Sequence, residues 1–277
     1  MAKIPHSLKD DLLDLFDEGP EKVHILADFD GTLTKEFVGG KKLPSIISVL
    51  RDHPKYLSPD YQQAAKALYN TYGPLEHDAK LSLAERKAKM REWWTKHFRL
   101  LIDSGLTRNH LEQVANSGII QFREGAKEFL KLTHQLGVPV VVFSASGLGE
   151  SIPIYCHHEK IDTPNVHFLI NRFKWDKDGR AVGRMGPIIH SLNKDETAIS
   201  DYSDIHEGIK DRVNVLLLGN GIGDLGMIKG FKPKKKVTIG FLDPEETNRK
   251  TDLEKHFRHV IVGGCEQINE ILSTLDS

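Results

Sequence analysis

Residues 23–34 constrain the fold of this chain more tightly than any other stretch. Val23-His24-Ile25-Leu26-Ala27 is a short, mostly apolar run of the kind that fills a buried strand. It runs directly into Asp28-Phe29-Asp30-Gly31, which sets two carboxylates one residue apart where the strand should stop. In an open α/β sheet the chemistry gathers beyond the carboxyl ends of the strands, so Asp28 and Asp30 fall where a site is expected. Two carboxylates reaching one small volume repel each other unless something positive neutralises them. A divalent cation with a phosphate ligand does so most simply. Taken alone, Asp-x-Asp-Gly also reads as an ordinary polar turn.

The rest of the chain supplies the partners such a strand needs. Short β-branched or apolar runs recur at 138–143, 166–170, 213–219, 237–241 and 259–262, with helical patterns between them. That alternation predicts a parallel sheet. Asp178-Gly179, flanked by strand-like residues, predicts a hairpin. A helix is expected within 7–19, closed by Gly19-Pro20, and another near 123–136, closed by Gly137.

From 43 to about 116 there are only helix signals. Pro44-Ser45, Ser58-Pro59-Asp60, the capping-box spacing Ser82-Leu83-Ala84-Glu85 and Thr107-Arg108 open four segments in turn. So long a block is excessive for one crossover connection. The expected organisation is therefore an α/β core of residues 1–35 and 121–277, with residues 36–120 inserted as a helical cap. Trp93, Trp94, Phe98 and Leu101 are expected to form the core of that cap rather than a ligand box.

Charge and composition exclude several classes. The 38 Lys and Arg nearly balance the 39 Asp and Glu, leaving no basic field for nucleic acid. The run Lys232-Pro233-Lys234-Lys235-Lys236 is read as a solvated turn. Cys156 and Cys265 make no disulfide framework and no zinc spacing, and His157-His158 reads as an exposed helix feature. No apolar run is long enough to span a membrane, and residues 1–6 lack a signal-peptide character, so the cytosol is the expected compartment.

Three further polar clusters sit at strand ends or helix starts. Ser144 follows 138–143 and precedes Ala145-Ser146-Gly147, where a hydroxyl and free N–H groups at a helix start would hold an anion. Ser144 would equally serve as a plain helix cap. Lys194, just before an expected helix that includes Asp195 and Glu196, would hold a phosphate and offset the carboxylates, although a lone lysine is ordinarily a surface group. Asn220, Asp224 and three glycines form a tight turn after 213–219, a candidate loop on the magnesium side.

The ordered set Asp28-Phe29-Asp30-Gly31-Thr32-Leu33-Thr34, strand-Ser144, Lys194 and Gly219-Asn220…Asp224 resembles the four signatures of the haloacid dehalogenase-like phosphohydrolases. Met90-Arg91-Glu92-Trp93-Trp94-Thr95-Lys96 and Ile189-His190-Ser191-Leu192-Asn193-Lys194 extend the likeness into the cap and beyond it. They make the chain similar to the cytosolic pyrimidine 5′-nucleotidases of type III.

The resemblance implies a Rossmann-like parallel sheet under a helical cap, and Mg2+-dependent hydrolysis of nucleoside 5′-monophosphates. It implies Asp28 as the nucleophile and a metal ligand, and Asp30 as the acid and base that also offers its main-chain carbonyl to the metal. Ser144, Ala145 and Lys194 would bind the phosphoryl oxygens, Asn220 and Asp224 would complete the metal set, and Glu76 would meet the base. Small-molecule nucleotides are the implied partners; the oligomeric state is left open.

The chain departs from the family pattern at Asn220, where a metal-ligating Asp is usual, at Ser146, where Gly is usual, and at His97, where a small residue is usual. An amide oxygen at 220 can coordinate but brings no charge. The alternatives are a phosphatase of another small metabolite, or a weakened enzyme that binds nucleotides without turnover.

Overall fold

The computed structural model describes residues 7–53, 55–161, 163–194, 203–229 and 232–275. The expected helix after Lys194, with Asp195 and Glu196, begins outside these residues, as does the N-terminal stretch 1–6. Six strands form one sheet: β1 (Val23–Ala27), β4 (Val140–Phe143), β5 (Val166–Leu169), β8 (Asn214–Gly219), β9 (Lys235–Leu242) and β10 (His259–Val262). Their spatial order is β10-β9-β8-β1-β4-β5, and every neighbouring pair is parallel. The chain leaves β1 for β4 and β5 on one side and returns to β8 on the other. The topological switch therefore lies at β1, where a doubly wound sheet opens its crevice.

Strand residues alternate between two buried clusters. Ile25, Ala27, Val140, Val142, Leu216 and Leu218 face one core, while Leu26, Val141, Val215 and Leu217 face the other. Both faces are covered, which is why these strands read as unbroken apolar runs rather than alternating ones. Helix α1 (Leu8–Phe16) opens on a capping box between Ser7 and Asp10 and buries Leu12, Leu15 and Phe16.

Between β1 and β4 lie a two-stranded ribbon, β2 (Phe37–Val38) with β3 (Lys41–Lys42), and the helices α2 (Ile46–Asp52), α3 (Pro59–Tyr72), α4 (Leu83–Asp103) and α5 (Arg108–Ala115). Ser58 caps α3 by accepting from the Tyr61 N–H, and Ser82 and Glu85 form the expected capping box on α4. The ribbon carries no apolar periodicity and is not evident in the sequence. It turns at Gly39 and Gly40, both at positive φ.

The two legs of this excursion are joined where they meet the sheet. Thr34 and Phe122 form an antiparallel bridge, the Lys35 N–H donates to Gln121 O at 2.9 Å, and the Arg123 N–H donates to Leu33 O at 2.9 Å. The expected hairpin is β6 (Arg172–Trp175) with β7 (Ala181–Met185). It braces α4 through Phe173, whose ring meets Phe98 edge-on at 5.5 Å. Helix α6 (Ala126–Gln135) ends at Gly137 with φ +65°, as its glycine suggested.

One expectation fails. Helix α7 spans Ser151–His158, so the turn beginning at Ser144 is not a helix start, and Ser144 caps no helix. The helix begins where Pro153 falls in its first turn, and the loop before it is packed closely: a Cβ at Gly149 would lie 2.9 Å from Asn171 O, and one at Gly147 2.3 Å from the Trp94 ring. Residues 144–150 instead form an irregular loop beyond the end of β4 that turns at 147–150.

Candidate active site

The chain turns sharply after β1. Gly31 adopts φ +75°, and the Thr34 N–H donates to Phe29 O at 3.1 Å. This turn aims Asp28 past the strand end, where its carboxylate is 4% exposed. Asp28 Oδ1 accepts from Lys194 Nζ, and Asp28 Oδ2 accepts from Thr32 Oγ1 at 3.1 Å. Lys194 also donates to Asp224 Oδ1 at 3.1 Å, so one buried ammonium bridges two buried carboxylates. Asp224 is held in turn by the N–H groups of Asn220 (3.1 Å) and Gly221 (3.0 Å). It organises the loop after β8.

These groups perturb one another strongly. Burial pushes Asp28 above the ordinary carboxylate range. The Lys194 charge pulls it back, and Asp224 and Asp30 push it up again. Burial also raises Asp30, against Lys194 and a hydrogen bond from Ser144, while Glu36 adds to the rise. Burial opposes the charge on Lys194, yet the Asp224 and Asp28 carboxylates hold its pKa above the usual lysine value. Lys194 remains an ammonium.

Ser144 Oγ donates to Asp30 Oδ2 at 3.2 Å and accepts from the Ser146 N–H at 3.1 Å. The predicted Asp28, Asp30, Ala145, Lys194, Asn220, Asp224 and Glu76 all line one cleft of about 1290 Å3. Ser144 sits just behind it, fully buried. Glu76 reaches the cleft from the end of a short 3-10 turn, Gly73–Glu76, whose last carbonyl accepts from Arg86 Nη1 at 3.2 Å.

The far wall of the cleft is aromatic. Trp93 and Trp94 stack with ring centres 5.6 Å apart, and Trp94 stacks on His97 at 5.6 Å. Trp94, Phe98 and Leu101 do belong to the core, as expected, but Trp93 and Trp94 also face the cleft. His97 is buried against Tyr61, whose hydroxyl lies 3.0 Å from Nε2, and burial pushes its pKa down to about 4. It is therefore a neutral ring. His157 and His158 lie exposed on α7, as read from sequence.

Sequence reasoning passes over three contributors. Thr32 steadies Asp28. Arg123, 3% exposed, donates to the carbonyls of Gly31 (2.7 Å) and Thr32 (3.0 Å) and pairs with Asp243 at 2.8 Å. Glu36 lines the cleft beside Asn220. Only Thr32 lies inside a recognisable motif; the others act across large sequence separations.

The donor set suits a hard divalent cation. The carboxylates of Asp28, Asp30 and Asp224 and the Asn220 amide line the cleft with oxygens, and the Lys194 ammonium contacts two of those carboxylates, Asp28 and Asp224.

A doubly wound parallel sheet, an Asp-x-Asp turn at its switch strand and a helical roof give the fold of a solved HAD family hydrolase, which superposes with a TM-score of 0.56 at 14% identity, and its family matches make the chain a phosphoric monoester hydrolase. The family model for pyrimidine 5′-nucleotidase (UMPH-1) matches residues 31–275. The chain belongs to that family, and it is a 5′-nucleotidase. It is 31% identical over 233 residues to the human 7-methylguanosine phosphate-specific 5′-nucleotidase, covering 84% of this chain and 77% of the relative. The Drosophila melanogaster protein of the same name is 32% identical over 235 residues, covering 84% and 73%. Among solved structures, cytosolic 5′-nucleotidase IIIB bound to cytidine superposes with a TM-score of 0.82 at 27% identity, covering 96% of this chain and 89% of that one. Among the described residues no helix is long and apolar enough to cross a membrane.

Proposed function

We propose that the chain hydrolyses nucleoside 5′-monophosphates with Mg2+, through a phosphorylated Asp28, beneath a cap formed by residues 36–120. The observation that carries this reading is the buried Asp28–Lys194–Asp224 bridge at the strand ends, opening into a cleft roofed by aromatic rings. Asp28, the main-chain carbonyl of Asp30 and the Asn220 amide oxygen would hold the cation, with Asp224 shaping the loop. When bound, the cation supplies positive charge to the phosphoryl oxygens.

In the first step an Asp28 oxygen bonds to phosphorus as the bond to the nucleoside oxygen breaks. Asp30, whose pKa burial raises, gives that leaving oxygen its proton. In the second step Asp30 takes a proton from water. The water oxygen bonds to phosphorus and the Asp28–phosphate bond breaks, releasing phosphate. Lys194 stays charged throughout and meets the phosphoryl oxygens, joined by the Ser144 hydroxyl and the Ala145 N–H.

Two substrates are candidates for the cleft. A pyrimidine nucleotide matches the family description. 7-Methylguanosine 5′-phosphate matches the names of the human and fly relatives, and its cationic base would stack on the Trp93–Trp94 pair, with Glu76 lining the same cleft. The deciding experiment measures phosphate release from a panel of nucleoside monophosphates, with Mg2+ and with EDTA. Metal-dependent release that Asp28→Asn abolishes supports the enzyme. Release that persists in Asp28→Asn ends the reading of Asp28 as the group that attacks.

A further inference from the structure

We infer that Glu36 carries the negative charge that Asn220 lacks, so that the cation seat is completed from the segment after β1 as well as from the loop after β8. The inference rests on the reading of Asp28 as a cation-holding carboxylate. Both side chains line the cleft with Asp28 and Asp30, and Asn220 Nδ2 lies 3.5 Å from Glu36 Oε2.

They converge over bare backbone. A Cβ placed on Gly31 would stand 2.2 Å from Asn220 Nδ2 and 3.3 Å from Glu36 Oε2. Gly31 directly follows Asp30, so the glycine both permits the turn and admits the amide and the carboxylate next to the metal-side backbone.

Glu36 is also held in place. Its N–H and that of Phe37 donate to Asp243 Oδ2 at 2.6 and 2.7 Å, and Asp243 is fixed by the buried Arg123. Glu36 also pairs with Lys42 at 2.5 Å, a lysine at the open side of the same cleft whose side chain is 64% exposed. The carboxylate is thus balanced from solvent and points its other oxygen inward. An aspartate at 220 would face this carboxylate at hydrogen-bonding range and repel it, whereas an amide donates to it. The charge usual at 220 is therefore relocated rather than lost.

The test is a double-mutant cycle on metal binding, with no substrate present. Mg2+ is titrated into metal-free full-length protein by calorimetry, with Mn2+ followed by loss of its free electron-spin signal as a second probe. The proteins are wild type, Glu36→Gln, Asn220→Asp, the double variant and Asp28→Asn.

Glu36→Gln is expected to weaken Mg2+ affinity about 10-fold or more, the usual effect of removing a partner outside the ligands themselves. Asn220→Asp should restore affinity in the Glu36→Gln background and gain much less in wild type. Lys42→Ala, which frees Glu36 without touching the seat, should tighten binding. A Glu36→Gln affinity within twofold of wild type overturns the inference, as does an equal gain from Asn220→Asp in both backgrounds. Equal absence of Mg2+ binding in wild type and Asp28→Asn overturns the cation seat itself, and with it the proposed mechanism.

Discussion

Arg123 and Asp243 form an ion pair at 2.8 Å whose side chains are 1% and 4% exposed. The pair ties the turn after β1 to the ends of β9 and β10, because Arg123 Nη1 also donates to Leu242 O (3.3 Å) and Gly263 O (2.5 Å). Asp243 in turn accepts from the N–H groups of Glu36 and Phe37, where the chain leaves the sheet. Removing one member leaves a charge buried without its partner, which costs about 3–5 kcal/mol. Arg123→Met should therefore lower the urea midpoint of unfolding by that equivalent with the slope unchanged. A change under about 1 kcal/mol would show that the pair is not structural.

Asp30 yields a prediction about pH. Burial holds its pKa above 3.8, so the metal-free folded chain keeps a proton that the unfolded chain has released. The folded state then binds more protons, and stability falls as pH rises from the ordinary carboxylate range toward the raised value. Asp30→Asn removes that loss. Metal-free Asp30→Asn should melt higher than wild type by about 2–4 °C near pH 8, equivalent to about 1 kcal/mol, and by less near pH 5. A melting difference that is flat with pH, or larger at low pH, contradicts the burial argument.

Lys194 is the only ammonium in contact with both Asp28 and Asp224 among the described residues. Lys194→Met should cut kcat/KM for phosphate release by about 10²–10³-fold, as loss of a preorganised charge at the reacting oxygens does. Added Mg2+ should not restore the rate if, as proposed, the cation is held by Asp28, the Asp30 carbonyl and Asn220 rather than at the Lys194 position. Recovery at high Mg2+ would mean that Lys194 only neutralises.

Gly147 and Trp94 join the sheet to the roof of the cleft. A Cβ at Gly147 would meet Trp94 Cζ3 at 2.3 Å and Cη2 at 2.9 Å, and the indole is rigid and stacked on Trp93. Gly147→Ala should therefore displace the aromatic wall, raising KM about 10-fold while kcat falls less, since remote binding contacts are lost before the reacting groups move. An equal fall in kcat with KM unchanged would assign Gly147 to the chemistry instead.

Much of the fold is legible in the sequence for plain reasons. Strands β1, β4, β8 and β9 are buried on both faces, so their apolar runs stand out. The helices of the roof announce themselves at Ser58 and Ser82 because capping is a local interaction. Asp28 and Asp224 are locatable as candidates because each follows a strand in a tight turn, and Lys194 because it stands just before an expected helix. What is not legible depends on contacts distant in sequence. The close approach of Gly147 to Trp94 and of Gly149 to Asn171 depends on partners far away in the chain. Arg123 reads as an ordinary surface arginine until the carbonyls of three separate segments converge on it. Glu36 reads as loop until Asn220 arrives from 184 positions away.

The bridge between Thr34 and Phe122, with the hydrogen bonds on either side of it, has a consequence for how such a molecule changes over time. The ends of the long excursion are already held together at its base, so closing that loop costs little more whether it is long or short. The clasp therefore lets the loops between the roof helices be lengthened or trimmed at small entropic cost, while the helices themselves stay bound to the floor through the shared core and the Gly147–Trp94 contact.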